Sequence, residues 1–192
     1  MEIKEYIEKY KEYLNTINYN EVDLFVNRIL KSYSEDKNIF IIGNGGSASN
    51  ASHLAQDLSM GTLGNQSQEK RIKAISLTDN ISSITALAND NGFENIFTSQ
   101  LKNYASKGDI LIAISCSGNS KNILNAVEYA LSKKMEVIGV TGFDGGKLKQ
   151  ISDYSVHIPV NDFGIVESLH SIIFHFLVFK LRDKIKSLAD NI

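Results

Sequence analysis

Apolar residues recur at helical spacing from Glu2 to about Glu35: Ile3, Tyr6, Ile7, Tyr10 and Leu14, then Val22, Phe25, Val26, Ile29 and Leu30. The break between the two sets predicts two helices, with Asn20 capping the second. The pattern then changes. A continuous apolar run over Asn38–Gly43 reads as a strand buried on both faces. Similar runs follow at Lys73–Thr78, Asp109–Ser115 and Glu136–Gly142, and Tyr154–Val160 adds a fifth. Helical periodicity fills the intervals at Ser47–Leu58, Asn80–Asn89, Asn95–Tyr104 and Asn119–Lys133, and a long amphipathic helix closes the chain from Gly164 to about Leu188. Short apolar strands alternating with helices predict an α/β fold, a five-stranded parallel sheet covered by helices on both faces. There is no internal repeat or low-complexity linker. The chain reads as a single domain over 1–192, with a helical extension at 1–36 and an α/β core at 37–192.

The amino-terminal helices carry more apolar residues than their own hairpin can bury. They pack either on the sheet or on a second subunit, and the second reading gives them a role in oligomerisation. Composition narrows the setting. The single cysteine, Cys116, excludes an intramolecular disulfide framework and fits a reducing cytoplasm. Net charge is −2 with basic residues scattered, so no nucleic-acid surface is expected. No stretch is expected to be long and apolar enough to span a bilayer, and the first residues lack the apolar core of a signal peptide.

Ligands of open parallel sheets bind beyond the carboxyl ends of the strands. The first strand runs into Gly43, Asn44, Gly45, Gly46 and Ser47, where glycines allow a sharp turn and close approach of backbone to ligand. Ser47 is expected to cap the following helix, whose free amides favour an anion. The spacing is neither a Walker loop nor a dinucleotide fingerprint. The third strand runs into Ser115, Cys116, Ser117, Gly118, Asn119 and Ser120, again before a helix. One such loop is as consistent with a serine-rich cap as with an anion cradle. Two on one small sheet favour an anionic ligand. Asn89-Asp90 and Thr141-Gly142 also follow apolar segments, where turn chemistry fits both, and Asp90 alternatively fits contact with a sugar hydroxyl.

These residues, with His53-Leu54-Ala55-Gln56-Asp57 and the late pair Glu167 and His175, resemble the sugar isomerase (SIS) superfamily and, within it, the phosphoheptose isomerase family. The resemblance implies a homotetramer with sites at subunit boundaries. It implies a phosphate held by Ser115, Cys116, Ser117 and Ser120, and a sugar lined by Asn44, Gly45, Gly46, Ser47, Asn89, Asp90 and Glu167. It further implies zinc at His53, Asp57, Glu167 and His175. Two positions depart from the family pattern. Asp57 stands where a glutamate acid/base is usual, and Glu167 where glutamine is usual.

The implied reaction interconverts the ketose sedoheptulose 7-phosphate and its aldose, D-glycero-D-manno-heptose 7-phosphate, through an enediol. It needs a base at carbon, a donor at oxygen and a field for the developing charge. Two imidazoles and two carboxylates suit zinc in donor type. Asp57 is read as a ligand and positional heir to the base, Glu167 as sharing acid/base duty, and His175 as the proton shuttle. His157 receives no role, and His170 is read as packing or touching a neighbour. The rival functions are a non-catalytic SIS adaptor of the replication initiator, a sugar-phosphate sensor coupled to transcription, and an isomerase for a different phosphosugar. An adaptor has no need of metal-type ligands, and a sensor needs a DNA-binding domain for which this chain has no room.

Overall fold

A computed structural model describes residues 1–63 and 70–189 of the chain. Two helices, α1 (Ile3–Leu14) and α2 (Tyr19–Ser34), precede strand β1 (Asn38–Ile42). Then come α3 (Gly46–Gln56), β2 (Lys73–Ser76), α4 (Ile81–Asn91), α5 (Ile96–Tyr104), β3 (Ile110–Ser115) and α6 (Lys121–Ser132). The chain continues through β4 (Glu136–Thr141), α7 (Gly146–Ile151), β5 (Tyr154–His157) and α8 (Phe163–Ala189). The five strands form one sheet in the order β2-β1-β3-β4-β5, with every pairing parallel.

The central strands β1, β3 and β4 form because their apolar, largely β-branched runs bury both faces, while the edge strands β2 and β5 are only partly buried. Side chains alternate across the pleat, so Ile39 and Ile41 join Phe25, Leu54, Leu169 and Phe174 beneath α2, α3 and α8. Phe40 and Ile42 point the other way, into a second core with Phe97, Leu101, Ile123 and Val127 from α5 and α6. The fully buried β3 lies between. The chain leaves β1 for β2 on one side and returns to β3 on the other. The loops after β1 and β3 therefore diverge at the strand-order reversal, which opens a crevice.

Several expectations are corrected. The cap of α2 is Asn18, not Asn20: its side-chain oxygen accepts from the Asn20 N–H at 3.1 Å, which requires the extended backbone that Asn18 has. Ser47 does not cap α3; Gly45, at φ 58°, holds the cap position and Ser47 lies inside the helix. The expected Ser47–Leu58 helix is α only to Gln56 and then widens into a π turn over Asp57–Gly61. Helix α7 was not anticipated, because six residues are too few to display periodicity. The expectation that no segment matches a membrane span also fails. Among the described residues, Phe163–Leu188 of α8, 26 residues, is long and apolar enough by length and composition. Half of that stretch is buried, with Ile165, Leu169, Leu177 and Leu181 in the core, while Ile172, Phe176 and Phe179 remain exposed. Helix α1 buries none of its residues. Tyr10 ties it to the start of α8 by donating to Ser168 Oγ at 2.9 Å.

Candidate active site

The crevice between the loops after β1 and β3 holds a cavity of about 270 Å³. Asn44, Gly45, Gly46 and Ser47 line one wall, Ser115, Cys116, Ser117 and Ser120 the other, and Phe163 and Glu167 of α8 close it. None of the lining residues is Lys or Arg. A bound anion would be met by hydroxyls, backbone amides and the amino ends of α3 and α6.

Backbone geometry sets both walls. Gly118 has φ 65°, and a Cβ there would lie 2.0 Å from the Gly145 carbonyl oxygen, so only glycine permits this turn. A Cβ on Gly43 would meet the Ser47 carbonyl at 2.4 Å. Asn44 and Asn122 exchange reciprocal amide hydrogen bonds of 2.9 Å, tying the first loop to α6. Sequence reasoning missed Asn122 and Phe163. The first was hidden as one more polar residue at a helix start, the second as an aromatic with no partner in sight.

Glu167 sits against the first loop. Ser47 Oγ donates to its carboxylate at 3.4 Å, and Asn50 Nδ2 donates to its backbone carbonyl at 3.0 Å. A Cβ on Gly46 would fall 2.1 Å from Glu167 Oε2, so the missing side chain is what lets the carboxylate reach the amino end of α3. The Cys116 sulfur lies 3.7 Å from Ser47 Oγ, and burial pushes its thiol pKa up. A thiol held protonated is a poor nucleophile, which agrees with a structural place in the loop.

His53, Asp57 and His175 gather from α3, its π turn and α8. Each offers a ligand atom, and these atoms lie within 4.8 Å of one another. His53 Nε2 is 3.4 Å from Asp57 Oδ2, and the two imidazoles meet edge to face at 5.1 Å between centroids. Asp57 stands where α3 widens, a backbone irregularity that recurs at functional sites. Two imidazoles and one carboxylate fit zinc in donor type.

Glu167 is not within that group. It precedes His175 by eight residues on one helix, about 12 Å along the axis. Asn89 and Asp90 are exposed on α4, bonded side chain to side chain at 2.8 Å, and line no part of the cavity. His157 bonds Thr141 Oγ1 through Nδ1 at 3.0 Å. His170 is wholly buried, and desolvation lowers its pKa to about 4, so it is neutral near pH 7.

The SIS domain family profile matches residues 5–142. A phosphoheptose isomerase of Helicobacter pylori is 40% identical over 152 residues, covering 79% of this chain and 78% of that one. The solved phosphoheptose isomerase of Neisseria gonorrhoeae superposes with a TM-score of 0.85 at 28% identity, over 94% of this chain and 96% of that chain. The phosphoheptose isomerase of Francisella tularensis gives 0.83 at 28% identity, over 95% and 96%. By profile, sequence and superposition, the chain belongs to the SIS domain family and, within it, to the phosphoheptose isomerases.

Proposed function

We propose that this enzyme interconverts sedoheptulose 7-phosphate and D-glycero-D-manno-heptose 7-phosphate through an enediol, with zinc at His53, Asp57 and His175. The observation that carries this reading is the pairing of an anion-type cavity without a basic residue with a nearby two-histidine, one-carboxylate group on the shared helices α3 and α8.

Ser115, Ser117 and Ser120 and the amides of the β3–α6 loop hold the phosphate, with Cys116 filling the loop behind them. Fixing the phosphate turns the proton transfer into an intramolecular problem of placement. Asn44, Gly45, Gly46 and Ser47 border the sugar. A zinc ion held by His53, Asp57 and His175 would supply a Lewis acid that polarises the carbonyl oxygen. Asp57 and Glu167 are the carboxylates that take and return the carbon-bound proton, Glu167 from the cavity wall and Asp57 from the donor group. His175 carries a proton between the two oxygens. The π turn at Asp57 moves the backbone where the shorter acid replaces the family's glutamate.

The functional unit is a homotetramer in the cytoplasm. Support comes from apolar side chains left outside the fold: Ile3 and Ile7 on α1, and Ile172, Phe176 and Phe179 on α8. An apolar groove of about 500 Å³ runs between Ile17, Tyr19 and Val22 and the Ile172–Phe176 stretch. Asn89 and Asp90, outside the cavity of their own protomer, contribute sugar contacts at a subunit boundary. The buried free thiol of Cys116 is at home in a reducing compartment.

The test is an NMR assay with sedoheptulose 7-phosphate, with zinc and after chelation. The aldose is expected with zinc and lost on chelation. No conversion at any zinc loading refutes the proposal.

A further inference from the structure

We propose that His170 is a positioning residue that couples the phosphate loop to the helix carrying His175 through a single peptide group, Thr141–Gly142. The carbonyl of that peptide faces His170, whose Nε2 lies 3.1 Å from Thr141 O. The N–H of the same peptide donates to the Cys116 carbonyl at 2.9 Å, inside the phosphate loop. A peptide unit is planar and stiff, so its two ends cannot tilt independently. Displacing the loop at Cys116 therefore shifts the acceptor that holds α8.

The packing around the peptide is as close as the hydrogen bonds imply. A Cβ on Gly142 would lie 2.6 Å from Val166 Cγ1, so α8 touches the peptide at the residue before Glu167. His170 then follows Glu167 by three residues and precedes His175 by five. The anchor lies between the two functional side chains of the helix.

Stability does not account for a histidine here. A carbonyl only accepts, so Nε2 carries the proton and Nδ1 presents a lone pair. That Nδ1 is buried without a partner, which destabilises the fold. An apolar side chain would remove this penalty, and Thr141 O would keep a donor, since Ile158 N–H also reaches it at 2.9 Å. What the histidine alone supplies is a donor from α8 to the peptide that also bonds the phosphate loop.

The proposal takes the cavity and the donor group as halves of one site, but it is tested without turnover. Zinc affinity is measured by calorimetry with and without saturating inorganic phosphate, in the wild type, His170→Leu and His170→Gln, with circular dichroism as the check on folding. Phosphate is expected to tighten zinc binding in the wild type by about fivefold or more, the usual lower range of coupling between sites. Direct attraction between the two ions contributes equally in all three proteins. His170→Leu is expected to lose most of the enhancement, and His170→Gln, which keeps a side-chain N–H, to retain most of it. The proposal is overturned if the wild type shows no coupling, if His170→Leu couples as the wild type does, or if His170→Gln loses coupling. Should His170→Leu not fold, the glutamine variant decides alone by the same criterion. Intact coupling in a protein that does not turn over the heptose phosphate would remove the proposed reaction and leave the role of His170 standing.

Discussion

The anion cavity and the three-donor group lie on the same helices yet are built in opposite ways. The cavity is a product of backbone. Its walls are loops at the ends of adjacent strands β1 and β3, shaped by Gly45 and Gly118 at positive φ, with Ser47, Ser115 and Cys116 buried in place. The donor group is a product of side chains. His53 and His175 are exposed, and the packing of α3 against α8, tied by the Asn50 to Glu167 hydrogen bond, brings them together. The first region is fixed by sheet topology before any ligand arrives. The second, on the proposed function, would be completed by a zinc ion. Phosphate binding is therefore expected to survive damage to the donors, whereas turnover is not.

The largest expected effect separates the two regions outright. Asp57→Asn is expected to lower kcat by at least about a hundredfold, the usual scale of acid/base catalysis. With zinc removed from both proteins, so that the coupling between the two ions does not enter, the rise in Tm given by inorganic phosphate should stay as in the wild type. Near-normal turnover removes Asp57 from the mechanism, and loss of the phosphate effect means that the regions are not separable.

Glu167 stands at the border and sharpens the comparison. Glu167→Gln is expected to lower kcat by about a hundredfold as an acid/base is lost. It should also tighten phosphate binding, because a negative charge leaves the cavity wall. Steady-state kinetics with phosphate as a competitive inhibitor reads both, and unchanged kcat excludes acid/base duty for this residue. A smaller change is expected on the cavity side. Ser117→Ala removes one hydrogen bond to a charged group, so KM should rise about tenfold while kcat holds within about threefold. A fall in kcat alone would place Ser117 with the chemistry instead.

The smallest effect belongs to the buried group behind both regions. His170 has its pKa lowered to about 4 from an ordinary 6.5 by desolvation. The unfolded chain then binds more protons than the native one between those values, so stability is complete above about pH 6.5 and declines as pH falls toward 4. The loss from this group between pH 7 and 5.5 should be about 1 kcal/mol. His157, also lowered by burial, acts in the same direction. Denaturant titrations at both pH values should show His170→Leu losing less stability than the wild type on acidification. Equal losses would mean that His170 is not the acid-sensitive group.

The same contrast explains what could be read in the sequence. The central strands β1, β3 and β4 announced themselves because their apolar runs are buried on both faces, and the loops because glycine and serine stand where a strand ends and a helix begins. His53 and Asp57 were legible as neighbours because four residues make one turn of a helix. Their meeting with His175 rested on family resemblance, because the crossing of two distant helices leaves no local signature. The π turn at Asp57 was illegible for a different reason, since a widened turn keeps the composition of an ordinary one. Asn122 was missed because its partner, Asn44, lies 78 positions away in the sequence. The closing helix was read as amphipathic and too polar to span a bilayer, yet α8 meets the length and composition of a span. A helix packed by one side on an α/β sheet can carry the residues of a bilayer span, and here half of the stretch is buried in the core.

The central claim is that one open-chain sugar phosphate spans both regions. Crystals of the zinc-loaded protein with sedoheptulose 7-phosphate, measured at the zinc edge, test it most directly. The account predicts the anomalous peak among His53, Asp57 and His175 and the phosphate among Ser115, Ser117 and Ser120, joined by one continuous sugar chain. A zinc peak elsewhere, or a sugar whose carbonyl end points away from those three side chains, would contradict it.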